Sequence, residues 1–158
     1  MVRPSQVRHD SGLLSPLSSM TTRQIELVRQ TFRHVTPIAD HAAALFYARL
    51  FELDPTLRPL IRGDLRTQGR KLMQTLALAV TTLDRLGTLL PIVRQLGVRQ
   101  ASYGVQDHHY GAVGNALLWT LRQGLGAAFT EEVESAWAAA YALVTDTMRA
   151  AAATTKAA

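Results

Sequence analysis

Apolar residues in this chain return every three or four positions. That spacing puts side chains on one face of an α-helix, and a strand, with its period of two, does not produce it. Ile25, Val28, Phe32 and Val35 make the first such stripe. Thr21 and Gln24 stand ahead of it at capping-box spacing, a hydroxyl and an amide three positions apart. Pro37 ends the run and suits the first turn of a second helix. That helix is expected over Pro37–Leu53, with Ile38, Ala42, Leu45, Phe46, Arg49 and Leu50 as its stripe and Arg49 at the margin. Asp54-Pro55 closes it, because the residue before a proline avoids helical torsions. A short turn, Thr56–Ile61, leads to the loop signal Gly63-Asp64.

The same spacing predicts a long helix over Leu65–Leu86, stopped by Gly87. Leu65, Leu72, Leu76, Val80 and Leu83 take one side of it, and Arg66, Arg70 and Gln74 the other. A shorter helix over Leu89–Gln100 carries Leu90, Val93, Leu96 and Gly97. After Tyr103-Gly104-Val105 comes one over Asp107–Gly124, with Val113, Leu117, Leu118 and Leu121 inward and Gly124 and Gly126 closing it. Thr130 is placed to cap the last helix, ahead of Glu131 and Glu132 in its positive first turn. Its buried stripe is Val133, Trp137, Tyr141, Val144 and Met148. Residues 1–19, rich in serine, proline and charge, read as a flexible arm, and residues 153–158 as a fraying tail. Six main helices and a short turn define an all-α chain, and 158 residues with 47% hydrophobic content suit one domain with a filled core.

The absence of cysteine excludes disulfides, thiolate metal sites and a cysteine nucleophile, and is in keeping with a reducing compartment. No apolar run reaches the length of about 18 residues that a spanning helix needs. Pro4 and Pro16 interrupt the stretch where a signal-peptide core would lie, so a cytoplasmic protein is expected. The net charge is +5, but the arginines are dispersed and only Lys71 and Lys156 are lysines. No tight glycine turn precedes a short recognition helix, so neither nucleic acid nor membrane is expected as a partner.

Three stretches give the pattern a family likeness. They are Leu45-Phe46-Tyr47-Ala48-Arg49-Leu50-Phe51 with Asp54-Pro55, then Leu96-Gly97 with Tyr103-Gly104-Val105, then His109-Tyr110 with Val113-Gly114 and Leu117-Leu118. Thr130-Glu131-Glu132 with Trp137 and Tyr141 completes the set. This chain resembles the bacterial single-domain globins and the globin part of flavohaemoglobins over roughly residues 22–150. The resemblance implies a globin fold over residues 20–152, haem b as cofactor, and a diatomic gas, O2 or NO, as ligand. It places Tyr47 and Gln68 on the gas-binding side, with Leu72 as the apolar wall one turn on. On the other side it places Tyr110 ten residues after the iron-ligand position, and Tyr103 and Val105 at the corner between. The glutamate that polarises the Tyr110 counterpart in flavohaemoglobins falls near Thr154 and is absent. No flavin- or nicotinamide-binding segment follows, so an isolated globin domain is expected.

Two positions depart from the family pattern. Gln100 stands where the family carries its iron-binding histidine, and the flanking Leu96-Gly97 and Tyr103-Gly104-Val105 fix the register on both sides. An amide oxygen is a hard, weak donor beside an imidazole. Ile61 stands where a phenylalanine stacks on the porphyrin; it keeps the bulk and loses the flat face. No histidine occurs between His41 and His108, so the remaining candidates for iron are Gln100 itself, His108 at the start of the next helix, and Tyr47 as a phenolate. Arg66, Arg70 and Lys71 are placed either to meet haem propionates or simply to face solvent. His34 and His41 read as surface residues, and Trp119 and Trp137 as core or interface anchors. Haem and gas binding with weakened ligation is therefore expected. The alternative is a haem-free globin that acts as a sensor or binding module for an apolar ligand or a protein partner. An enzymatic role as a nitric oxide dioxygenase or peroxidase would require a separate reductase and a proximal ligand and is the least expected reading; a homodimer is a possible assembly.

Overall fold

Thr21 opens the first helix in the manner its spacing requires. The Gln24 N–H donates to Thr21 Oγ1 at 3.0 Å, and the Thr21 N–H donates to Gln24 Oε1 at 2.9 Å. In this computed structural model, which describes residues 20–157, α1 spans Thr22–Val35, a 3-10 turn covers Thr36–Ile38, and α2 spans Ala39–Leu53. A second 3-10 segment, Pro55–Leu60, leads to α3 at Leu65–Thr81 and α4 at Leu86–Ser102. Then come α5 at Asp107–Leu125, a 3-10 turn at Gly126–Ala128, and α6 at Glu131–Ala157. The described residues contain no strand, and the all-α expectation holds. The arm expected over residues 1–19 lies outside the described residues. At the other end α6 continues through Ala157, over the stretch read as a tail.

The largest departure from the expected elements is the end of α3, which stops at Thr81, well before Gly87. The cause is a distant side chain. Arg29 of α1 donates from Nε to the Val80 carbonyl at 3.2 Å, and from Nη2 to the Thr81 carbonyl at 2.9 Å and to Asp84 Oδ1 at 2.7 Å. A guanidinium on the last carbonyls satisfies groups that a helix C-terminus leaves open and sits at the negative end of its dipole. The Arg29 hydrogen bond holds the Asp84 carboxyl below the usual carboxylate range. Leu83 is then buried in the connection rather than on the helix, and α4 begins at Leu86 with Pro91 inside it.

Two buried clusters result. Leu27, Val28 and Phe32 of α1, Leu89 and Val93 of α4, and Val133, Trp137 and Leu143 of α6 belong to the larger one. Trp137 donates its indole N–H to Thr31 Oγ1 at 2.9 Å, which satisfies both groups in the core. The smaller cluster joins Phe46, Tyr47 and Leu50 of α2 to Leu57 of the 3-10 segment and Ala116 of α5. Small residues set the crossings between helices. A Cβ on Gly97 would lie 2.4 Å from the Met148 carbonyl oxygen, so α4 lies directly on the backbone of α6. A Cβ on Gly69 would lie 2.9 Å from that of Ala43, where α3 crosses α2. Leu117 packs on both clusters and links them.

The start of α5 is tied to the end of α2 through His109, which is buried. The Gln106 N–H donates to His109 Nδ1 at 2.9 Å, so the ring proton sits on Nε2, 3.3 Å from the Thr56 hydroxyl. Thr56 in turn donates to Asp54 Oδ1 through both its hydroxyl and its backbone N–H. Burial, and then the neighbouring His108, hold the His109 imidazole below its ordinary value, whereas the Thr56 hydroxyl bond keeps the Asp54 carboxyl low.

Gly97→Ala should lower stability by about 1–3 kcal/mol or more, because backbone atoms of α6 occupy the space. Gly111→Ala, with nothing within 4 Å of the added methyl, should be neutral or raise stability by up to about 1 kcal/mol. Urea denaturation of the two variants checks the pair. A second outcome follows from His109. Its depressed folded value means that the unfolded chain binds the proton more readily, so this contribution is complete above the unfolded value near 6.5 and is lost as pH falls below it. The urea midpoint should drop between about pH 7.5 and 5, and His109→Gln should flatten that drop, since Asp54 acts only at lower pH.

Candidate functional site

Because α3 packs mainly on α2, and α4 mainly on α6, the two helices make no extensive packing against each other. Ile61, Leu65, Leu72, Leu76, Leu90 and Leu96 are half-buried; Ile61, Leu65 and Leu72 pack on the smaller cluster, and Leu76 and Leu96 on the larger.

Tyr47 of α2 is buried, with the Phe46 ring edge-on at 5.2 Å and the Phe51 ring stacked at 6.0 Å. Its hydroxyl reaches the Gln68 carbonyl oxygen at 3.4 Å, the long edge of hydrogen bonding. Burial pushes the Tyr47 phenol up, so it is protonated and a donor at neutral pH. Asp64 caps α3 by accepting from the Thr67 N–H and hydroxyl, both at 3.1 Å, and these bonds hold its carboxyl low. The cap sets the register of Gln68 and, one turn on, Leu72. The Gln68 side chain turns back, however, and donates from Nε2 to the Arg62 carbonyl at 2.8 Å. Ile61 and Leu72 pack with Tyr47 in the smaller cluster.

Gln100 is half-buried in the last turn of α4. Its carbonyl accepts from the Tyr103 and Val105 N–H groups, both at 3.1 Å, and folds the corner that follows. Gly104 makes that corner at φ +96°, and a Cβ there would lie 3.5 Å from the Leu60 side chain, so the corner meets the 3-10 segment. Tyr103 points outward and is 61% exposed. Val105 packs with the larger cluster. Tyr110 is buried there too, with the Arg149 guanidinium 5.2 Å from its ring and its carbonyl accepting from the Tyr141 hydroxyl. Burial raises both phenols.

The structure thus brings Tyr47, Ile61, Leu72 and the Gln68 backbone together, and leaves Gln100, Tyr103 and Tyr110 on other elements. His108 is exposed, with Nε2 3.7 Å from Asp54 Oδ2 at the outer end of α5. Asp54, His108 and His109 bring metal-type donors within 4.8 Å of one another. His109 offers no lone pair from Nε2 while Nδ1 accepts the Gln106 N–H, so the group acts as a capping latch. Arg66, Arg70 and Lys71 lie exposed on α3, as do His34 and His41 before and within α2. Trp119 is half-buried beneath the Arg49 guanidinium at 5.2 Å. Two contributors went unread in the sequence. Phe51 is legible in hindsight from its spacing of four from Tyr47; Leu60 is not, because its contact with Gly104 is long-range.

Where the two clusters meet lies a small apolar cavity of about 20 Å³, lined by Phe46, Leu72, Met73, Leu76, Leu117 and Trp137 among others. A cofactor or drug-sized ligand takes roughly 300–1,000 Å³. Helix α4 carries no histidine, cysteine, methionine or tyrosine. The apolar lining and the buried Tyr47 hydroxyl fit a haem with a gas ligand in kind, whereas the cavity volume and the side chains of α4 do not.

The globin family model matches residues 44–148. The flavohemoprotein of Bacillus subtilis is 28% identical over 80% of this chain, and that of Bordetella parapertussis 36% identical over 75%. The chain spans about a third of the length of these relatives, 33% and 31% respectively. A bacterial globin from Campylobacter jejuni superposes with a TM-score of 0.76 at 19% identity, covering 87% of this chain and all of that one. A hexacoordinated heme protein from an anhydrobiotic tardigrade superposes with a TM-score of 0.72 at 16% identity, covering 85% and 96% of the two chains. At these identities the two structures speak to the fold alone, and they share it. With the helix order and the family match in agreement, this chain belongs to the globin family.

Proposed function

We propose that this chain takes haem b between α3 and α4 and binds a diatomic gas, O2 or NO, on the Tyr47 side, with weak ligation from α4. The observation that carries this reading is the buried Tyr47 hydroxyl beside Ile61, Leu72 and the Gln68 backbone. Relatives named flavohemoproteins support it. Haem, when bound, supplies an iron to which such a gas attaches. Tyr47 presents an O–H donor to partial negative charge on the gas, and Gln68 adds a second donor once its amide leaves the Arg62 carbonyl. Ile61, Leu65 and Leu72 exclude water, which strengthens those bonds. Arg66, Arg70 and Lys71 offer cations to propionates at the rim. Gln100 offers only an amide oxygen, so the cofactor is held chiefly by apolar burial, which needs no bond to iron. Among the described residues no helix is long and apolar enough to cross a membrane, and we place the protein in the cytoplasm.

The small volume of the enclosed cavity favours a second reading, in which the chain works without haem as a sensor or binding module for an apolar ligand or protein partner. Titration with hemin separates the two. Haem binding gives a shifted Soret band that saturates at one equivalent, and Gln100→His tightens it by about tenfold or more, some 1.4 kcal/mol per decade. No Soret shift at one equivalent, and none after Gln100→His, would assign the chain to the haem-free class.

A further inference from the structure

We propose that the groove between α5 and α6 seats a second copy of this chain, the two copies related by a two-fold axis through the level at which Gly114 meets Tyr141. The inference does not depend on haem uptake and adds to it an interaction surface, a partner and a symmetry.

The groove is open to solvent and measures about 290 Å³. Gly111 and Asn115 border it from α5, and Ala138 and Ala142 from α6; all four are exposed. A Cβ on Gly111 would meet nothing within 4 Å, so no described residue of the chain covers that side. Tyr141 forms the floor. A Cβ on Gly114 would lie 2.6 Å from its ring, which is where the two helices touch. Such short side chains let the backbones of another pair of helices come close.

Charge at the ends of the groove selects the occupant. At one end Arg122 of α5 pairs with Glu134 of α6 at 3.1 Å. At the other, Arg149 of α6 lies 3.8 Å from Asp107 of α5, with Asp146 at the rim 3.7 Å away. Asp107 and Arg122 stand 15 positions apart, as do Glu134 and Arg149, which is about 22 Å along each helix. Both spans are centred where Gly114 meets Tyr141. The four corners therefore alternate in sign around one central point. A face with that checkerboard is complementary to itself: turned over about a two-fold axis lying in it, along the helices or across them, it sets every cation on a carboxylate. The Arg149 guanidinium also lacks a close acceptor within the chain. Its Nε is buried with no hydrogen-bond partner, and its Nη2 reaches the Asp107 carbonyl only at 3.5 Å. A carboxylate of the second copy, from Glu134 or Asp107 according to the axis, supplies one.

Sedimentation velocity of the purified chain should show a monomer–dimer equilibrium. Glu134→Arg and Arg149→Glu should each weaken it by about tenfold or more, and an equal mixture of the two variants should recover the dimer, since each carries the charge the other lacks. Mixing rescues an interface, whereas it does nothing for a chain damaged in folding, which far-ultraviolet circular dichroism reports. Ala142→Arg, which sets a bulky cation in the middle of the groove of both copies, should leave only monomer. A monomer at every concentration up to about 1 mM would overturn the inference. So would a dimer that Ala142→Arg leaves intact, or charge variants that associate no better together than alone. Any of these failures leaves the hemin titration, and the reading it tests, untouched.

Discussion

The closeness with which α4 lies on α6 is the constraint on which the site depends. A Cβ on Gly97 would stand 2.4 Å from a backbone oxygen of α6, a separation only glycine permits. The analogous contact of Gly69 with Ala43 holds α3 to α2. Helices α3 and α4 are therefore each held to a different partner.

How much of this was legible depends on range. Helix identity followed from spacing, because a stripe such as Ile25, Val28, Phe32 and Val35 depends only on neighbours within one helix. The Thr21 capping box and the Gly126 stop at φ +55° are local in the same way. The end of α3 was misplaced at Gly87 because its true stop is a guanidinium from α1, more than fifty positions upstream of the carbonyls it binds. Nothing within the Leu78–Gly87 stretch announces that contact. Tyr47, Ile61 and Leu72 were legible as one group through family likeness, whereas the return of the Gln68 amide to Arg62 and the outward turn of Tyr103 depend on side-chain rotamers that no spacing encodes.

Residue 100 separates two properties that haem proteins normally combine. Shape belongs to the helix crossings, and those survive whatever stands at position 100. On the proposed reading, ligand strength rests on one side chain, and there Gln100 offers an amide. The Gln100 backbone has a structural duty, since its carbonyl folds the corner through Tyr103 and Val105.

Tyr47 was already buried by its ring neighbours, so desolvating its hydroxyl is a cost met on folding rather than on binding. What remains unmet is a partner at normal hydrogen-bond length, since 3.4 Å to the Gln68 carbonyl recovers little of the solvation lost. A buried oxygen in that condition gains more from a new partner than an exposed one does, because no water must be displaced from it. The same reasoning disfavours Tyr103 and His108, whose polar atoms already have water or Asp54 and would surrender those contacts to reach a cofactor. Burial without satisfaction marks the side chain that has most to gain from a bound cofactor.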